Sequence, residues 1–189
     1  MLRTIFLLGI GKISPSVLID LKQNLEISLR DFNISIEILK EKIKLRKKYY
    51  NSIRNQYKAI HLLNKLEEKA KNRELFRLLG IVGKDIYSKE KDFIFGLAKR
   101  GSYAALISLP RLRENFYIKS GTAYRKVESK DEFNERVLKE AKHELGHTFG
   151  LIHCNNKCVM QLSNSLADTD KKPVEYCEIC KKELNIFLS

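Results

Sequence analysis

Near the C-terminal end of the chain, His143 and His147 stand four residues apart, with Glu144 directly after the first. On an α-helix that spacing puts both imidazoles one turn apart on one face, where they reach a single metal ion, and nitrogen donors of this kind suit zinc. Glu144 is turned by about 100° round the helix from His143, so its carboxylate can reach a metal-activated water without ligating the metal. That is a general base's position. Gly150 can take the left-handed backbone that ends a helix, which lets the chain swing His153 back onto the same ion. Three nitrogen ligands leave a fourth zinc position open for water and substrate, as catalytic sites do.

The cysteines point to metal as well. All four, Cys154, Cys158, Cys177 and Cys180, lie in one stretch beside three of the four histidines. In a secreted chain they would suggest two disulfides, but a close pair followed by C-x-x-C is zinc-site spacing, and metal is the favoured reading. The segment between the pairs carries Asn164, Asp168 and Asp170 and is too polar to pack by itself. A zinc thiolate cluster would hold it, with binding free energy on the order of 10 kcal/mol. Because Cys154 adjoins His153, such a metal would also fix the approach of the third histidine.

The pattern H-E-x-x-H-x-x-G-x-x-H at 143–153 resembles that of the metzincin metallopeptidases. With Cys154, Cys158-Val159-Met160 and Cys177-Glu178-Ile179-Cys180, the chain resembles the archaemetzincin family in particular. The likeness extends upstream to residues 93–98 and 104–112, and so covers most of the chain. It implies a catalytic zinc held by His143, His147 and His153, Glu144 as the base that activates a zinc-bound water, and Met160 in a turn under the site. It also implies a second, structural zinc on Cys154, Cys158, Cys177 and Cys180. The expected function is peptide-bond hydrolysis, of which aminopeptidase trimming is one form.

The elements that must position these residues are legible from periodicity. Residues 3–10 are an apolar run closed by Gly9 and Gly11, consistent with a covered central strand. Ser14-Pro15 opens a helix carrying Val17, Leu18, Leu21, Leu25 and Leu29, and Ile34, Ile36 and Ile38 alternate as a half-buried strand does. A charged helix runs from Ala59 to about Asn72, in which His61 is a packing or surface residue. Strands follow at 76–82, 93–98 and 103–109, the last two joined by a glycine-containing connection at 99–102, with a turn at 85–87. The resemblance to the metzincins implies that the strand at 93–98 lies at a sheet edge above the cleft, where an extended peptide can add as a further strand; a simple protected edge strand is the equal alternative.

Ser129 and Glu132 form a capping box for the active-site helix. Phe133, Val137, Ala141, Leu145 and Phe149 give it an apolar stripe turned away from the histidines. Glu140 shares the histidine face and is read first as a solvated carboxylate, with support of the metal ligands as the alternative. Arg111, Arg113, Tyr117 and Tyr124 lie in a weakly periodic stretch, residues 110–128, and are read first as surface residues that could frame the cleft. Pro173 is expected to open the last helix, with Cys177 and Cys180 one turn apart on it.

The expected fold is therefore α+β, three-layered like an α/β protein, with a mixed five-stranded twisted sheet. Residues 1–150 would form a sheet-and-helix part ending in the active-site helix, and residues 151–189 a small zinc-bound C-terminal part. With 189 residues, 43% hydrophobic and 31% charged, the chain is long enough to bury a core and is not disordered. No apolar run reaches the roughly 20 residues of a membrane span, and the N-terminal run is too short for a signal peptide, which places the protein in the cytoplasm. The net charge is +13, and more than half the excess falls in residues 40–58, with eight bases against Glu41. A solvated lysine-rich face is favoured there over a nucleic-acid surface. The expected partners are peptide or protein substrates, with a lean toward acidic ones, and a monomer is expected. The rival classes are a zinc-stabilised nucleic-acid-binding module and a peptide-binding descendant without hydrolytic activity.

Overall fold

The computed structural model describes residues 3–119 and 128–189. Strand β1 (Arg3–Ile10) buries residues on both of its faces, Ile5 and Leu7 to one side and Leu8 and Ile10 to the other, so helices must cover the sheet on both sides. It pairs in parallel with β2 (Ile34–Ile38) and with β5 (Arg77–Val82). Helix α1 (Pro15–Ser28) makes the first crossover and α2 (Ala59–Asn72) the return past β1 to β5. Two crossovers of the same hand that run in opposite directions put their helices on opposite faces. The apolar clusters follow suit. Leu18, Leu21 and Leu25 of α1 meet Ile5, Leu7 and Ile81, whereas Leu62, Leu63 and Leu66 of α2 meet Leu8, Leu78 and Val82.

The sheet order is β2-β1-β5-β8-β7, where β8 (Ala104–Ser108) is parallel to β5 and β7 (Gly96–Ala98) is antiparallel to β8 at the edge. This is the expected mixed five-stranded α+β sheet. The edge strand is shorter than residues 93–98, although Ser108 N–H still reaches Phe95 O at 2.7 Å. A second small sheet had no signature in the sequence. Strand β4 (Gln56–Lys58) lies between β3 (Tyr50–Asn51) and β6 (Ile86–Tyr87), and two- or three-residue strands are too short to show a period. Ile86 and Tyr87, expected in a turn, are thus a strand. The basic stretch is tied down by an Ile10–Ile43 bridge and by Tyr49 stacked on His61, ring centroids 4.8 Å apart.

Helix α4 (Lys130–Thr148) lies against α1, β8 and β7 on the first face. Its capping box forms as expected: Glu132 N–H donates to Ser129 Oγ at 3.1 Å, and Ser129 N–H to Glu132 Oε2 at 2.9 Å. The whole stripe from Phe133 to Phe149 is buried in the core, together with Met160, Tyr176, Leu184 and Leu188 from the C-terminal stretch. Before α4, residues 110–119 contain α3 (Glu114–Lys119); Tyr124 lies outside the described residues.

Two expectations for the C-terminal stretch are corrected. Its polar segment folds into α5 (Leu166–Lys171), capped by Ser165 with Asp168 and anchored by buried Leu166 and Thr169. The last helix, α6 (Glu178–Leu188), starts after Cys177, which is its N-cap, and not at Pro173. The backbone before it is committed elsewhere, because Glu175 C=O accepts from Val159 N–H at 2.8 Å. No helix among the described residues is long and apolar enough to cross a membrane.

Candidate active site

The last two turns of α4 carry His143 and His147, and the hydrogen bonds behind their rings set which nitrogen faces forward. His143 Nδ1 lies 2.9 Å from Val159 O, and His147 Nδ1 lies 2.9 Å from Leu151 O. A carbonyl only accepts, so each Nδ1 carries the proton and each Nε2 is left with a bare lone pair. The two Nε2 atoms are 3.2 Å apart. Neither can donate to the other, and two lone pairs at that distance repel unless a cation lies between them. The edge of a tetrahedron with zinc–nitrogen bonds of about 2.05 Å is about 3.3 Å, so the spacing fits zinc. Burial, above all, pushes the proton affinity of all three histidines down, which keeps them in the neutral form a metal requires.

The third histidine depends on how α4 ends. Gly150 has φ of 93°, the left-handed turn that releases the chain from the helix. The carbonyls exposed there are each taken up. Gly101 N–H donates to His147 O at 2.9 Å, Arg77 Nη2 to Thr148 O at 3.0 Å, and Arg100 Nε to Gly150 O at 2.6 Å. The connection between β7 and β8 therefore holds the helix end, and the ligating atoms of His143, His147 and His153 all come within 4.8 Å of one another.

Glu144 is buried beside them and faces the edge strand. A Cβ built on Gly96 of β7 would lie 2.5 Å from Glu144 Cγ and 2.6 Å from its Oε1, so only glycine leaves room for the carboxylate. Burial, and then the charge of Glu140, push Glu144 well above the usual carboxylate range, while Lys172 opposes them. Glu140, expected to be solvated, is in fact buried: its carboxylate lies 3.6 Å from the Lys172 ammonium, at the wall of the same cleft. A cleft of about 570 Å³ opens onto the three histidines and Glu144, with residues 93–98 along one side and residues 162–164 along another.

Met160 is fully buried and packs against Gly146, where an added Cβ would overlap its Sδ. The four cysteine Sγ atoms also lie within 4.8 Å of one another, with Cys154 and Cys177 at 3.7 Å. The edge of a tetrahedron with zinc–sulfur bonds of about 2.3 Å is about 3.8 Å. Backbone amides of Met160 and Cys177 point at Cys158 Sγ, at 3.4 and 3.3 Å. Burial works against ionisation of Cys177, but the Cys180 amide and neighbouring side chains outweigh it and bring the thiol down to about 7.

Arg111, Arg113 and Tyr117 do not line the cleft. Arg111 pairs with Asp85 at 2.8 Å and lies 4.0 Å over the Phe93 ring, Arg113 is 3.6 Å from Glu128, and Tyr117 Oη donates to Arg111 O. His61 is far from metal-ligand company, stacked on Tyr49 as a packing residue. Sequence reasoning missed Gly96, Gly146 and Lys172. For Gly146 there was a signal, since a glycine inside a helix carries a cost of about 1 kcal/mol and implies a close neighbour. Lys172 gave none.

A three-histidine centre, with two ligands on a helix and the third just beyond its end, a carboxylate beside it and a sheet edge along its cleft, defines the class of zinc metallopeptidases. The chain belongs to peptidase family M54, whose family model matches residues 2–186, and it is an archaemetzincin-family zinc metallopeptidase. It is 40% identical over 182 residues to the archaemetzincin of Pyrococcus furiosus, which covers 95% of this chain and 91% of that one. The crystal structure of an Archaeoglobus fulgidus archaemetzincin complexed with malonate is 33% identical, with a TM-score of 0.75 over 96% of this chain and 99% of that one. A zinc-dependent peptidase from Methanocorpusculum labreanum is 25% identical, with a TM-score of 0.81 over 96% of this chain and all (100%) of that one.

Proposed function

We propose that this chain hydrolyses peptide bonds, with His143, His147 and His153 as ligands of a catalytic zinc and Glu144 as the general base. The observation that carries this is the pair of Nε2 lone pairs facing each other at 3.2 Å, with Glu144 enclosed alongside. Zinc, when bound, supplies a Lewis acid that polarises a peptide carbonyl and acidifies a water. Glu144, held against Gly96, would accept the proton of the attacking water as its oxygen bonds to the carbonyl carbon, and would pass that proton to the amine as the C–N bond breaks. The open edge of β7 binds the peptide backbone as an added strand, which gives affinity without demanding one side chain. Val159 and Leu151 carbonyls keep the two helix histidines oriented throughout.

Cys154, Cys158, Cys177 and Cys180 hold a second, structural zinc in this proposal, so that residues 151–189 form a metal-bound part set against residues 1–150. Cysteines held as metal ligands are consistent with a reducing compartment and so support a cytoplasmic location. The net charge of +13 leans toward acidic peptides as substrates, and both aminopeptidase trimming and internal cleavage are modes open to the site.

The test is Glu144→Ala in the zinc-loaded full chain, scored on a peptide mixture by mass spectrometry. The variant should keep its zinc and lose hydrolysis by about 10³-fold or more, the scale of a lost general base. Hydrolysis at the wild-type rate by that variant would remove Glu144 from the mechanism. The product masses report the mode directly, since aminopeptidase action gives a ladder shortened from the amino end.

A further inference from the structure

Among the described residues, three buried side-chain polar atoms have no hydrogen-bond partner: Glu114 Oε2, Ser163 Oγ and Lys172 Nζ. The first belongs to a residue outside the cleft, whose other oxygen accepts from Arg136. The other two belong to residues that line the active-site cleft, and both atoms can donate. They flank one short helix, Ser163 shortly before α5 and Lys172 directly after it. Lys172 is only 2% exposed, and an ammonium buried to that degree with its N–H groups unspent is costly unless something accepts from it.

Glu140 does not fill that need. Its Oε2 is 3.6 Å from Lys172 Nζ, too far for a hydrogen bond. Lys91, the other lysine on the cleft, is already engaged with Asn164 Oδ1 at 2.8 Å. After burial, the charge of Lys172 is among the influences that lower the proton affinity of His143, His147 and His153, so the ammonium lies within electrostatic reach of the hydrolytic centre.

We propose that Lys172, assisted by Ser163, is a specificity-determining subsite that receives a carboxylate of the peptide substrate, borne by an acidic side chain or by the chain terminus. A carboxylate offers about four lone-pair sites, enough for both donors, and forms the charge-assisted bond a buried lysine lacks. A lysine is suited to this task because its four-carbon stem lets the ammonium follow the ligand. An amide of the same shape brings neither the charge nor the second acceptor oxygen. The inference deepens the peptidase reading and rests on it for the substrate class.

The experiment uses zinc-loaded full-length protein and matched peptides that differ only as Glu against Gln at each position near the cut, or as free acid against amide at the C-terminus. One of these pairs should show a preference of about tenfold or more in kcat/KM for the carboxylate, a factor of ten being one charge-assisted contact. Lys172→Met should bring that ratio to near one, with zinc content unchanged, and Ser163→Ala should reduce it by about threefold. The side-chain pairs and the terminal pair separate the two sources of the carboxylate. Should Lys172→Met not fold, the Ser163→Ala ratio decides, and an undiminished preference overturns the proposal. Equal cleavage within every pair, or a preference that survives Lys172→Met, also overturns it. The same peptides are titrated by fluorescence anisotropy into zinc-loaded Glu144→Ala protein. There the carboxylate preference should appear in binding and vanish in the double variant with Lys172→Met; no such preference in binding rejects the subsite. If wild type cleaves none of the peptides while this binding preference holds, the hydrolytic reading fails and the subsite stands.

Discussion

The two ligand clusters touch in sequence, at His153 and Cys154, and are built in opposite ways. The histidine centre is mounted on structure that exists without it. Two ligands ride on a capped and core-packed helix, their rings are aimed by carbonyls at 2.9 Å, and the helix end is clamped by Gly101, Arg77 and Arg100. The cysteine cluster gathers its ligands from two turns and from the N-terminal end of α6, with little regular backbone between them. A metal on the histidines would need a scaffold, because a catalytic site keeps one coordination position open, whereas a metal on the four cysteines could itself serve as scaffold, with all four positions filled by protein. Binding energy at such a cysteine site would be mainly folding energy.

The largest effect expected from this contrast is at the cysteines. Cys177→Ser with Cys180→Ser should release one zinc per chain and forfeit much of the roughly 10 kcal/mol that such a site contributes, melting residues 151–189. Because Cys154 adjoins His153 and its N–H donates to Met160 O at 3.0 Å, hydrolysis should be lost with it. His147→Ala should also release one zinc, yet leave the thermal transition within a few degrees, since a change of about 1 kcal/mol is worth roughly 2–4 °C in a chain of this size. Metal analysis and calorimetry on both variants sharpen the contrast. Equal destabilisation by the two would show that the histidine centre is as structural as the other.

The next effect is at Gly96, where the edge strand meets the base. Gly96→Ala puts a methyl 2.6 Å from Glu144 Oε1 and must displace the carboxylate. A shift of about 1 Å in a catalytic group lowers kcat by up to about 10²-fold. Zinc content should stay at the wild-type value, because the nearest atoms to the added methyl all belong to Glu144, which is not a proposed ligand. A variant that loses zinc instead would tie the two functions of α4 together more closely than the hydrogen bonds imply.

How much of this could be read from the chain follows the same division. The histidines and Glu144 were legible because they lie on one helix with a fixed period, and the capping box and apolar stripe that position them are local patterns. Four of the five strands were legible because each buries an unbroken or alternating apolar set, whereas the edge strand β7 is only half-buried along its length and is shorter than the apolar run that suggested it. What depended on a distant partner was not. Glu140 reads as an exposed acid until Lys172, 32 residues on, is brought to 3.6 Å. Arg136, on the same helix, carries no sequence signal of its burial among Glu114, Glu128 and Asp170. Pro173 has the right chemistry for a helix start and is overruled because Glu175 pairs with the methionine turn. No period in the sequence reports contacts of this kind.

A smaller effect tests the packing under the histidine centre. Gly146→Ala gains about 1 kcal/mol in helix propensity but drives a methyl into Met160 Sδ, and overpacking a full core costs about 1–3 kcal/mol. The net expectation is a loss of about 1 kcal/mol in denaturant unfolding. In a Met160→Ala background, where the space is open, the same change should turn stabilising. A sign that does not reverse would mean that Met160 yields freely and does not brace the helix.

The smallest effect is at Arg100, and it bears on how the scaffold reaches the third ligand. Its guanidinium is exposed and donates to Gly150 O at 2.6 Å, at the negative end of α4. An exposed cation at a helix C-terminus contributes about 0.3–1 kcal/mol, reduced by salt. Arg100→Ala should lower stability by no more than that. The same loosening acts on the turn that delivers His153, so affinity at the histidine centre, read by competition with a zinc chelator, should fall by a few-fold while the cysteine centre holds its metal unchanged. Equal weakening of both centres would mean that the turn at Gly150 positions Cys154 as much as His153, and that the two sites share a scaffold after all.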